Sequence, residues 1–180
     1  MMRDDMKCIL IDRDKIAQRV KELGAQITKD YKGEAPLFVC ILKGSVVFFA
    51  DLIREVDLPL QIEFMKASSY GSATVSSGEV KVVGALDDKI KGRHVVLVED
   101  IVDSGRTIAY LKQDMLKKGV KSLKVASLLD KPERREADVT PDYVGFVVPD
   151  EFVVGYGLDY AQNYRNFPDI GVLKPEIYED

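Results

Sequence analysis

Apolar runs and helical patterns alternate along the chain, and their alternation predicts the order of its elements. Behind Asp12, a residue type that caps helices, apolar positions recur at helical spacing from Ile16 to Ile27, and the pattern ends near residues 33–36. Leu37 to Leu42 is a continuous apolar run of strand length, and a second helical pattern follows it from Val46 to Ile53. This part of the chain is therefore predicted to form a helix, a strand and a helix.

The same order of strand, loop and helix returns in the middle of the chain. Val95 to Val98 is apolar and mostly β-branched without polar alternation, which is typical of a strand buried on both faces of a parallel sheet. A helix is predicted to begin near Thr107, and Val125 to Leu129 is a third apolar strand. This alternation predicts an α/β fold in which helices cover a parallel sheet through right-handed crossovers. Further short strands are predicted at Gln61–Lys66, Val80–Gly84, Val144–Val148 and Phe152–Val154.

Residues 68–78 connect two of these predicted strands and contain Val75 as their only large aliphatic residue. A segment so small and polar cannot bury itself. Two interpretations stay open: a plain hairpin connection, or a functional lid, because lids are common among loops of this length.

The composition suits one ordinary globular domain and narrows the functions it can have. The 180 residues are 46% hydrophobic and 31% charged, and a chain of this length buries a substantial core. The net charge of −4 argues against a general binder of nucleic acid or of anionic membranes. Residues 1–10 carry charges throughout, and no apolar run reaches the roughly 18 residues that span a bilayer, so we expect a cytoplasmic protein.

Several kinds of site find no support in the sequence. Cys8 and Cys40 both lie in apolar runs and are predicted to be small buried hydrophobes rather than catalytic thiols. His94 is the only histidine, so neither a zinc site nor a Ser-His-Asp triad is indicated. The chain has no P-loop sequence, and Gly155-Tyr156-Gly157 lacks the third glycine of a dinucleotide fingerprint.

The segment from Val95 to Thr107 carries the chemistry. Glu99 and Asp100 follow the buried strand at its carboxyl end, where open α/β sheets bind ligands, so these acids can meet sugar hydroxyls or a hydrated cation. Ser104 and Gly105 form a small-residue turn at the start of a helix, and such a turn directs backbone N–H groups and the positive dipole end at an anion. Together these features predict a site for a phosphorylated sugar. The alternative is a solvated acidic loop whose acids cap the helix.

The same segment resembles the phosphoribosyl-pyrophosphate (PRPP) motif of the type I phosphoribosyltransferases: two acids, two apolar residues, Asp, a small residue, Gly, any residue and Thr. Other segments are similar to the branch of that family that acts on 6-oxopurines, the hypoxanthine-guanine phosphoribosyltransferases. They are Leu42-Lys43-Gly44-Ser45, Ser69-Tyr70, Val125 to Lys131, Pro149 to Tyr160, and Arg165 after them. The similarity runs in the family's order from about residue 37 to residue 173.

The resemblance implies the type I phosphoribosyltransferase fold, a mainly parallel central sheet flanked by helices, with a small hood from the chain ends and a mobile lid loop at about 68–79. It implies one domain over residues 1–180, with a purine-binding hood segment at about 149–180. The implied reaction is attack of a purine ring nitrogen on the ribose C1 of PRPP, which gives IMP or GMP and pyrophosphate with Mg²⁺ as cofactor. Family members usually form homodimers or homotetramers, and no nucleic-acid or membrane partner is implied.

The resemblance also assigns roles at the PRPP site. Glu99 and Asp100 would hold the ribose hydroxyls directly or through Mg²⁺, and Asp159 would complete a second Mg²⁺ site. Whether Arg106 contacts the phosphate or only water stays open, as does a cis peptide before Lys43, which is frequent in the family. The residues implied to bind PRPP are Glu99, Asp100, Asp103, Ser104, Gly105, Arg106 and Thr107. Those implied at the pyrophosphate are Lys43, Gly44, Ser69, Tyr70 and Arg165, the Ser69-Tyr70 pair belonging to a lid that excludes water.

On the purine side, the resemblance makes Asp103 the general base near the purine N7, the alternative being a carboxylate that merely caps the turn. Lys131 can only donate hydrogen bonds, so it would pair with the O6 of hypoxanthine or guanine and would face another donor in adenine. Phe152 would stack on the base and the Val153 carbonyl would accept from its far edge, close to Asp159. The alternatives are an ordinary solvated lysine and a core aromatic residue.

Two rival functions remain at this point. One is a transferase for another base. The other is a PRPP-sensing regulator of transcription, for which the chain offers a modest basic cluster that otherwise forms a solvated helix end. This cluster consists of Lys117, Lys118, Lys121 and Lys124.

Overall fold

The computed structural model describes residues 1–69, 80–84 and 86–178, and at residues 68, 69, 80 and 81 it describes the backbone alone. The predicted lid loop therefore lies outside the described residues for nearly all of its length. Its two flanking strands are described, and they pair antiparallel.

A six-stranded sheet forms the centre of the molecule, with strands in the order β4-β3-β2-β5-β6-β7. Its strands are β2 (Leu37–Leu42), β3 (Gln61–Ser69), β4 (Val80–Val83), β5 (His94–Val102), β6 (Ser122–Asp130) and β7 (Tyr143–Val147). All neighbouring pairs are parallel except β3 and β4, so β4 is an antiparallel edge strand. The predicted α/β fold with a mainly parallel sheet is confirmed.

The helices are α1 (Arg13–Asp30), α2 (Val46–Arg54), α3 (Asp87–Ile90), α4 (Arg106–Lys117) and α5 (Pro175–Tyr178). The predicted cap of α1 is present, because the Asp12 carboxylate accepts hydrogen bonds from the backbone N–H groups of Asp14 and Lys15 at 3.1 and 2.9 Å. This helix ends at Asp30, slightly before the predicted position, and Gly33 then takes a positive φ of 84° in the following turn. Among the described residues, no helix is both long and apolar enough to cross a membrane.

Alternate residues of the central strands enter two separate cores, which explains their unbroken apolar sequences. On β2, Phe38 and Cys40 pack into the core under α1 and α2. Val39, on the opposite face, packs into the core that includes Leu111 of α4. A central strand of a sheet covered on both faces therefore needs apolar residues at every position, as the run from Leu37 to Leu42 has.

The strand that carries the two acids is longer than predicted. Glu99 and Asp100 lie within β5 rather than beyond its end, because β6 continues to pair with β5 as far as Val102 opposite Asp130. On its other side β5 loses its neighbour earlier, since the last paired residues of β2 and β5 are Cys40 and Val98. From Glu99 onward, one edge of β5 is therefore free of β2.

Both chain ends contribute to a second, three-stranded antiparallel sheet, as expected for a hood. Its strands are β1 (Met6–Ile11), β8 (Val153–Val154) and β9 (Ile170–Leu173), in the order β1-β9-β8. One prediction was wrong here, because Cys8 is exposed while Cys40 is buried. Cys8 lies on β1, an edge strand of this small sheet, where an apolar sequence does not ensure cover on both faces.

A substitution of Phe48 on α2 tests the assignment of the larger of the two cores. Its side chain is fully buried between the helices and the sheet, so Phe48→Ala is expected to lower the free energy of unfolding by about 3–5 kcal/mol through lost contacts and a cavity. The matched control is Val147→Ala, because Val147 is 67% exposed and should change it by less than about 1 kcal/mol. Urea denaturation followed by circular dichroism measures both values. Equal losses in the two variants would contradict this assignment of the core.

Candidate active site

The site lies where the strand order of the central sheet reverses. From β2 the chain proceeds outward to β3 and β4, and it then returns to β5 on the other side, so the carboxyl ends of β2 and β5 flank a crevice. A cavity of about 450 Å³ opens there. The predicted site residues that line it are Lys43, Gly44, Glu99, Asp100, Asp103, Ser104, Gly105, Thr107, Asp159 and Arg165.

Glu99 and Asp100 occupy the free edge of β5, and each is held by the backbone of the residue after it. Glu99 Oε1 accepts from the Asp100 N–H at 3.0 Å, and Asp100 Oδ1 accepts from the Ile101 N–H at 2.8 Å. Burial raises the pKa of Glu99 well above its ordinary value, and the neighbouring Asp100 charge raises it further. Ionisation of Glu99 is therefore less favourable in the folded protein than in the unfolded chain.

Two glycines allow two loops to approach β5 and each other closely at this point. A Cβ at Gly44 would lie 1.6 Å from Asp100 Oδ2, so only glycine leaves room for that carboxylate beside the loop after β2. A Cβ at Gly157, where φ is 104°, would lie 2.1 Å from the Gly44 carbonyl oxygen. Gly44 is among the predicted site residues, whereas Gly157 is not, although the short Gly155-Tyr156-Gly157 pattern was the available signal for it. The peptide bond between Leu42 and Lys43 is cis.

The predicted phosphate turn precedes α4. Gly105 is the N-cap residue with a φ of 79°, and the helix begins at Arg106, one residue before the predicted start. The first N–H groups of α4 have no acceptor within the helix. The turn is supported from behind, since Arg135 Nε donates to the Asp103 carbonyl at 3.1 Å and the N–H groups of residues 136 and 137 donate to the Ser104 carbonyl at 2.9 and 3.0 Å.

Arg106 differs from the other residues of this turn. Its guanidinium pairs with the carboxylate of Glu136, and Arg106 is not among the described residues that line the cavity. A role for its side chain in PRPP binding stays a prediction.

Asp103 faces an arginine that the sequence analysis did not identify. Its Oδ1 is buried and has no aligned hydrogen-bond donor among the described residues, and it lies 3.0 Å from Nε of Arg134. Arg134 also contacts Asp150, at 3.3 Å from Nη1 to Oδ1. The Asp103 carboxylate thus contacts Arg134, and the N-cap residue of α4 is Gly105. The role of Asp103 as a general base stays a prediction. No local pattern could have indicated Arg134, because it reaches Asp103 only through the fold.

The predicted pyrophosphate cations meet at a glutamine that the sequence analysis also missed. Gln162 Oε1 accepts from Lys43 Nζ at 3.1 Å and from Arg165 Nη2 at 3.3 Å. Arg165 also pairs with Asp159, at 2.8 Å between Nη2 and Oδ1. Gln162 lies in a turn with a φ of 69°, which its sequence context does not announce.

The three acids predicted to hold metal are not gathered into one cluster. The described residues contain no group of three or more His, Cys, Asp or Glu side chains that could hold an ion. Asp159 already engages Arg165 and accepts from the Gln162 N–H at 2.8 Å. This arrangement differs from an all-protein cage and fits a hydrated Mg²⁺, which uses one or two carboxylates together with substrate oxygens.

The described residues that line the cavity do not include Lys131, Phe152 or Val153. Lys131 is 7% exposed and its Nζ donates to the Glu151 carbonyl at 2.7 Å, so the alternative of a solvated lysine is wrong. Phe152 is 39% exposed, which is not the environment of a core aromatic residue. Val153 is buried in β8. The side chain of Ser69 and all of Tyr70 lie outside the described residues.

Comparisons with known proteins agree with this architecture. A family model described as a phosphoribosyl transferase domain matches residues 9–161. The chain is 52% identical over 179 residues to the hypoxanthine-guanine phosphoribosyltransferase of Bacillus subtilis (strain 168), with 99% of each chain covered. It is 51% identical over 178 residues to that of Streptococcus thermophilus (strain CNRZ 1066), again with 99% of each covered. A crystal structure of a hypoxanthine phosphoribosyltransferase from Staphylococcus aureus is similar at a TM-score of 0.95 and 47% identity, covering 99% of this chain and 97% of that one.

The raised pKa of Glu99 predicts how stability depends on pH. Because the pKa in the folded protein exceeds the value near 4.5 of the unfolded chain, the stability due to protonated Glu99 is complete below pH 4.5 and is lost as pH rises through the folded-state pKa. The glutamine side chain of Glu99→Gln cannot ionise. The free energy of unfolding of this variant should therefore rise relative to that of wild type by about 1.4 kcal/mol for each unit by which the pH increases within that window.

Urea denaturation of the ligand-free proteins between pH 4.5 and pH 8 measures this difference. Glu133→Gln is the matched control, because Glu133 is exposed and should leave the pH profile parallel to wild type. Parallel profiles for Glu99→Gln would show that Glu99 is ionised in the folded protein at no cost.

Proposed function

Because the chain belongs to the phosphoribosyl transferase family, we propose that it is a purine-salvage enzyme that transfers the 5-phosphoribosyl group of PRPP to hypoxanthine or guanine. The products are IMP or GMP and pyrophosphate. The observation that carries the proposal is the crevice at the strand-order reversal, where two acids of β5, the glycine turn before α4 and the Lys43 loop face one cavity. The enzyme works in the cytoplasm, as a homodimer or homotetramer.

The two halves of phosphoribose match the two halves of the cavity. Glu99 and Asp100 accept hydrogen bonds from the ribose hydroxyls. The turn from Asp103 to Thr107 binds the 5′-phosphate, because Gly105 and the start of α4 direct backbone N–H groups and the positive dipole end at one point. The Thr107 hydroxyl, which lines the same cavity, adds a further donor.

Mg²⁺ is the expected cofactor. Glu99 and Asp100 would hold one ion and Asp159 a second, with substrate oxygens completing each coordination shell. When bound, the ion neutralises charge on the diphosphate and makes it a better leaving group. Ionised Glu99 is the form that binds a cation, so the raised pKa of Glu99 would weaken Mg²⁺ binding as the pH falls.

The leaving pyrophosphate is held by cations on two loops. Lys43 and Arg165 share Gln162 in the ligand-free protein, and each exchanges that contact for a phosphate oxygen when PRPP binds. Gly44 allows the loop to approach the substrate closely. The lid with Ser69 and Tyr70 closes over the pyrophosphate and excludes water, which would otherwise capture the oxocarbenium-like ribosyl centre.

Asp103 acts as the general base on the purine. Attack through a ring nitrogen makes the purine N7 proton acidic, and a carboxylate that accepts it strengthens the nucleophile. Arg134, whose Nε lies 3.0 Å from Asp103 Oδ1, orients that carboxylate in the ligand-free protein.

Base selectivity resides in Lys131 and its neighbours. The Glu151 carbonyl fixes the Lys131 ammonium, which donates to the purine O6 and cannot accept from the amino group of adenine. Phe152 supplies a ring face for stacking. The Val153 carbonyl and Asp159 complete the contacts at the opposite edge of the base.

The ion pairs formed by lysines of the basic cluster disfavour the rival function as a nucleic-acid-binding regulator. Lys118 pairs with Asp87 and Asp114 at 2.7 and 2.8 Å, and Lys124 pairs with Asp30 at 3.1 Å. Lys121 lies 3.5 Å from Glu34. The carboxylates beside these lysines lower the net positive charge that this surface presents, so its attraction for a phosphate backbone is weak.

One assay tests the proposed function directly. The protein is incubated with PRPP, Mg²⁺ and each of hypoxanthine, guanine, xanthine, adenine and orotate, and the nucleotide product is measured. We expect IMP and GMP and no AMP or OMP. Product from adenine or orotate alone would establish the rival transferase, and PRPP-dependent binding of RNA or DNA without turnover would establish the regulator.

Asp103→Asn tests the general base. The amide cannot accept the N7 proton at the same site, so kcat with hypoxanthine should fall by about 10²–10⁴ at saturating PRPP. The matched control is Asp138→Asn at an exposed position that does not line the cavity, which should keep wild-type turnover. Near wild-type turnover in Asp103→Asn would remove the general-base role.

Lys131→Gln tests the selectivity. Loss of a charged donor to the O6 should lower kcat/KM for hypoxanthine about 10- to 100-fold, and the amide can accept from adenine, so the preference against adenine should weaken. Lys117→Gln is the control, because Lys117 is exposed on α4. An unchanged ratio of the two kcat/KM values would assign selectivity to other residues.

A further inference from the structure

Phe152, the proposed stacking residue, is held at two points by the last segment of the chain. The Leu173 N–H donates to the Phe152 carbonyl at 2.9 Å, which fixes its backbone beside β9. Five residues later, the ring of Tyr178 stacks on the ring of Phe152, with centroids 4.7 Å apart and an interplanar angle of 20°. The same short segment therefore fixes both the backbone and the ring plane of Phe152.

The position of Tyr178 is itself determined by the opposite end of the chain. β9 pairs with β1, and the pairing continues beyond the strand because the Lys174 N–H donates to the Asp5 carbonyl at 3.0 Å. The chain then turns into α5, where the Ile177 N–H donates to the Lys174 carbonyl at 3.0 Å. Tyr178 thus lies directly after an anchored backbone segment. Together with Ile177 it packs against a cluster in the hood that consists of Met6, Val154, Phe167 and Leu173.

A third ring limits the movement of Phe152 further. Tyr160 meets Phe152 edge-on, with centroids 5.8 Å apart at 84°, and meets Tyr178 at 6.4 Å and 65°. Tyr178 therefore covers one face of Phe152 and Tyr160 lies perpendicular to the Phe152 ring, and aromatic pairs prefer both arrangements. Phe152 nevertheless remains 39% exposed, so part of its ring is free to receive a ligand.

We propose that Tyr178 is a positioning residue for the purine: it covers one face of Phe152 and thereby orients the other face for the base. This inference rests on the proposed function, since it needs a base that stacks on Phe152. Lys131 donates to the carbonyl of Glu151, one residue before Phe152. The backbone at residues 151 and 152 therefore both holds the donor to the base and carries the stacking ring. A ring oriented in advance loses less conformational freedom on binding, which strengthens binding of the base without any new contact to it.

Tyr178→Ala and Tyr178→Phe separate positioning from general stability. The alanine variant should raise the KM for hypoxanthine about 3- to 10-fold, the range given by loss of one aromatic pair, while KM for PRPP stays at the wild-type value. The phenylalanine variant keeps the ring and should restore the wild-type KM. The control is Ile177→Ala, which removes apolar surface from the same turn and from the same cluster but removes no ring.

A double-mutant cycle with Phe152→Leu identifies the route of the effect. Because Tyr178 acts through the Phe152 ring, Tyr178→Ala should change KM for hypoxanthine little in the Phe152→Leu background. Circular dichroism of each variant confirms that it is folded. The inference would be overturned if the KM for hypoxanthine stayed unchanged in Tyr178→Ala, or if it rose equally in Ile177→Ala. A lower KM in Tyr178→Ala would also overturn it, because the Tyr178 ring would then occupy the place of the base. Failure of the proposed function is distinguishable, because wild-type protein would then form no product from either 6-oxopurine.

Discussion

The site depends on the separation of β2 from β5. These strands pair only as far as Cys40 and Val98, whereas β5 remains paired with β6 up to Val102. One edge of β5 is thereby freed while the strand stays rigid. The backbone N–H groups of Asp100 and Ile101 then bond to the acidic side chains that precede them, so the same local change positions both carboxylates. Every other part of the crevice is built against this edge.

Close packing around that edge explains why some positions accept only one residue type. Gly44 leaves space for the Asp100 carboxylate, and Gly157 leaves space for the Gly44 carbonyl, so two loops and β5, distant in sequence, approach one another closely. The same packing buries Glu99 and raises its pKa. A carboxyl group with a raised pKa must lose its proton before it binds a cation, so a proton and a cation would compete for Glu99.

The hood joins the chain ends to the base side of the site. β9 pairs with β1 and bonds to Phe152, and the turn after it brings Tyr178 onto the Phe152 ring. The acids lie on β5 of the central sheet, whereas Phe152 directly precedes β8 of the small sheet. In the proposed function, the part that binds the phosphorylated sugar and the part that selects the base are thus built on different sheets.

Local sequence patterns predicted the main strands and helices of the central layer and the segment from Val95 to Thr107, because periodicity and the glycine turn are properties of neighbouring residues. They placed Glu99 and Asp100 beyond their strand, since they carried no information on how far β6 continues. Only the tertiary structure decided that Glu99 is buried, that Cys8 is exposed, and that Gln162, Arg134 and Tyr178 reach the site residues. These contacts join residues far apart in the chain, and their existence depends on how the two sheets and their loops pack, which no local pattern encodes.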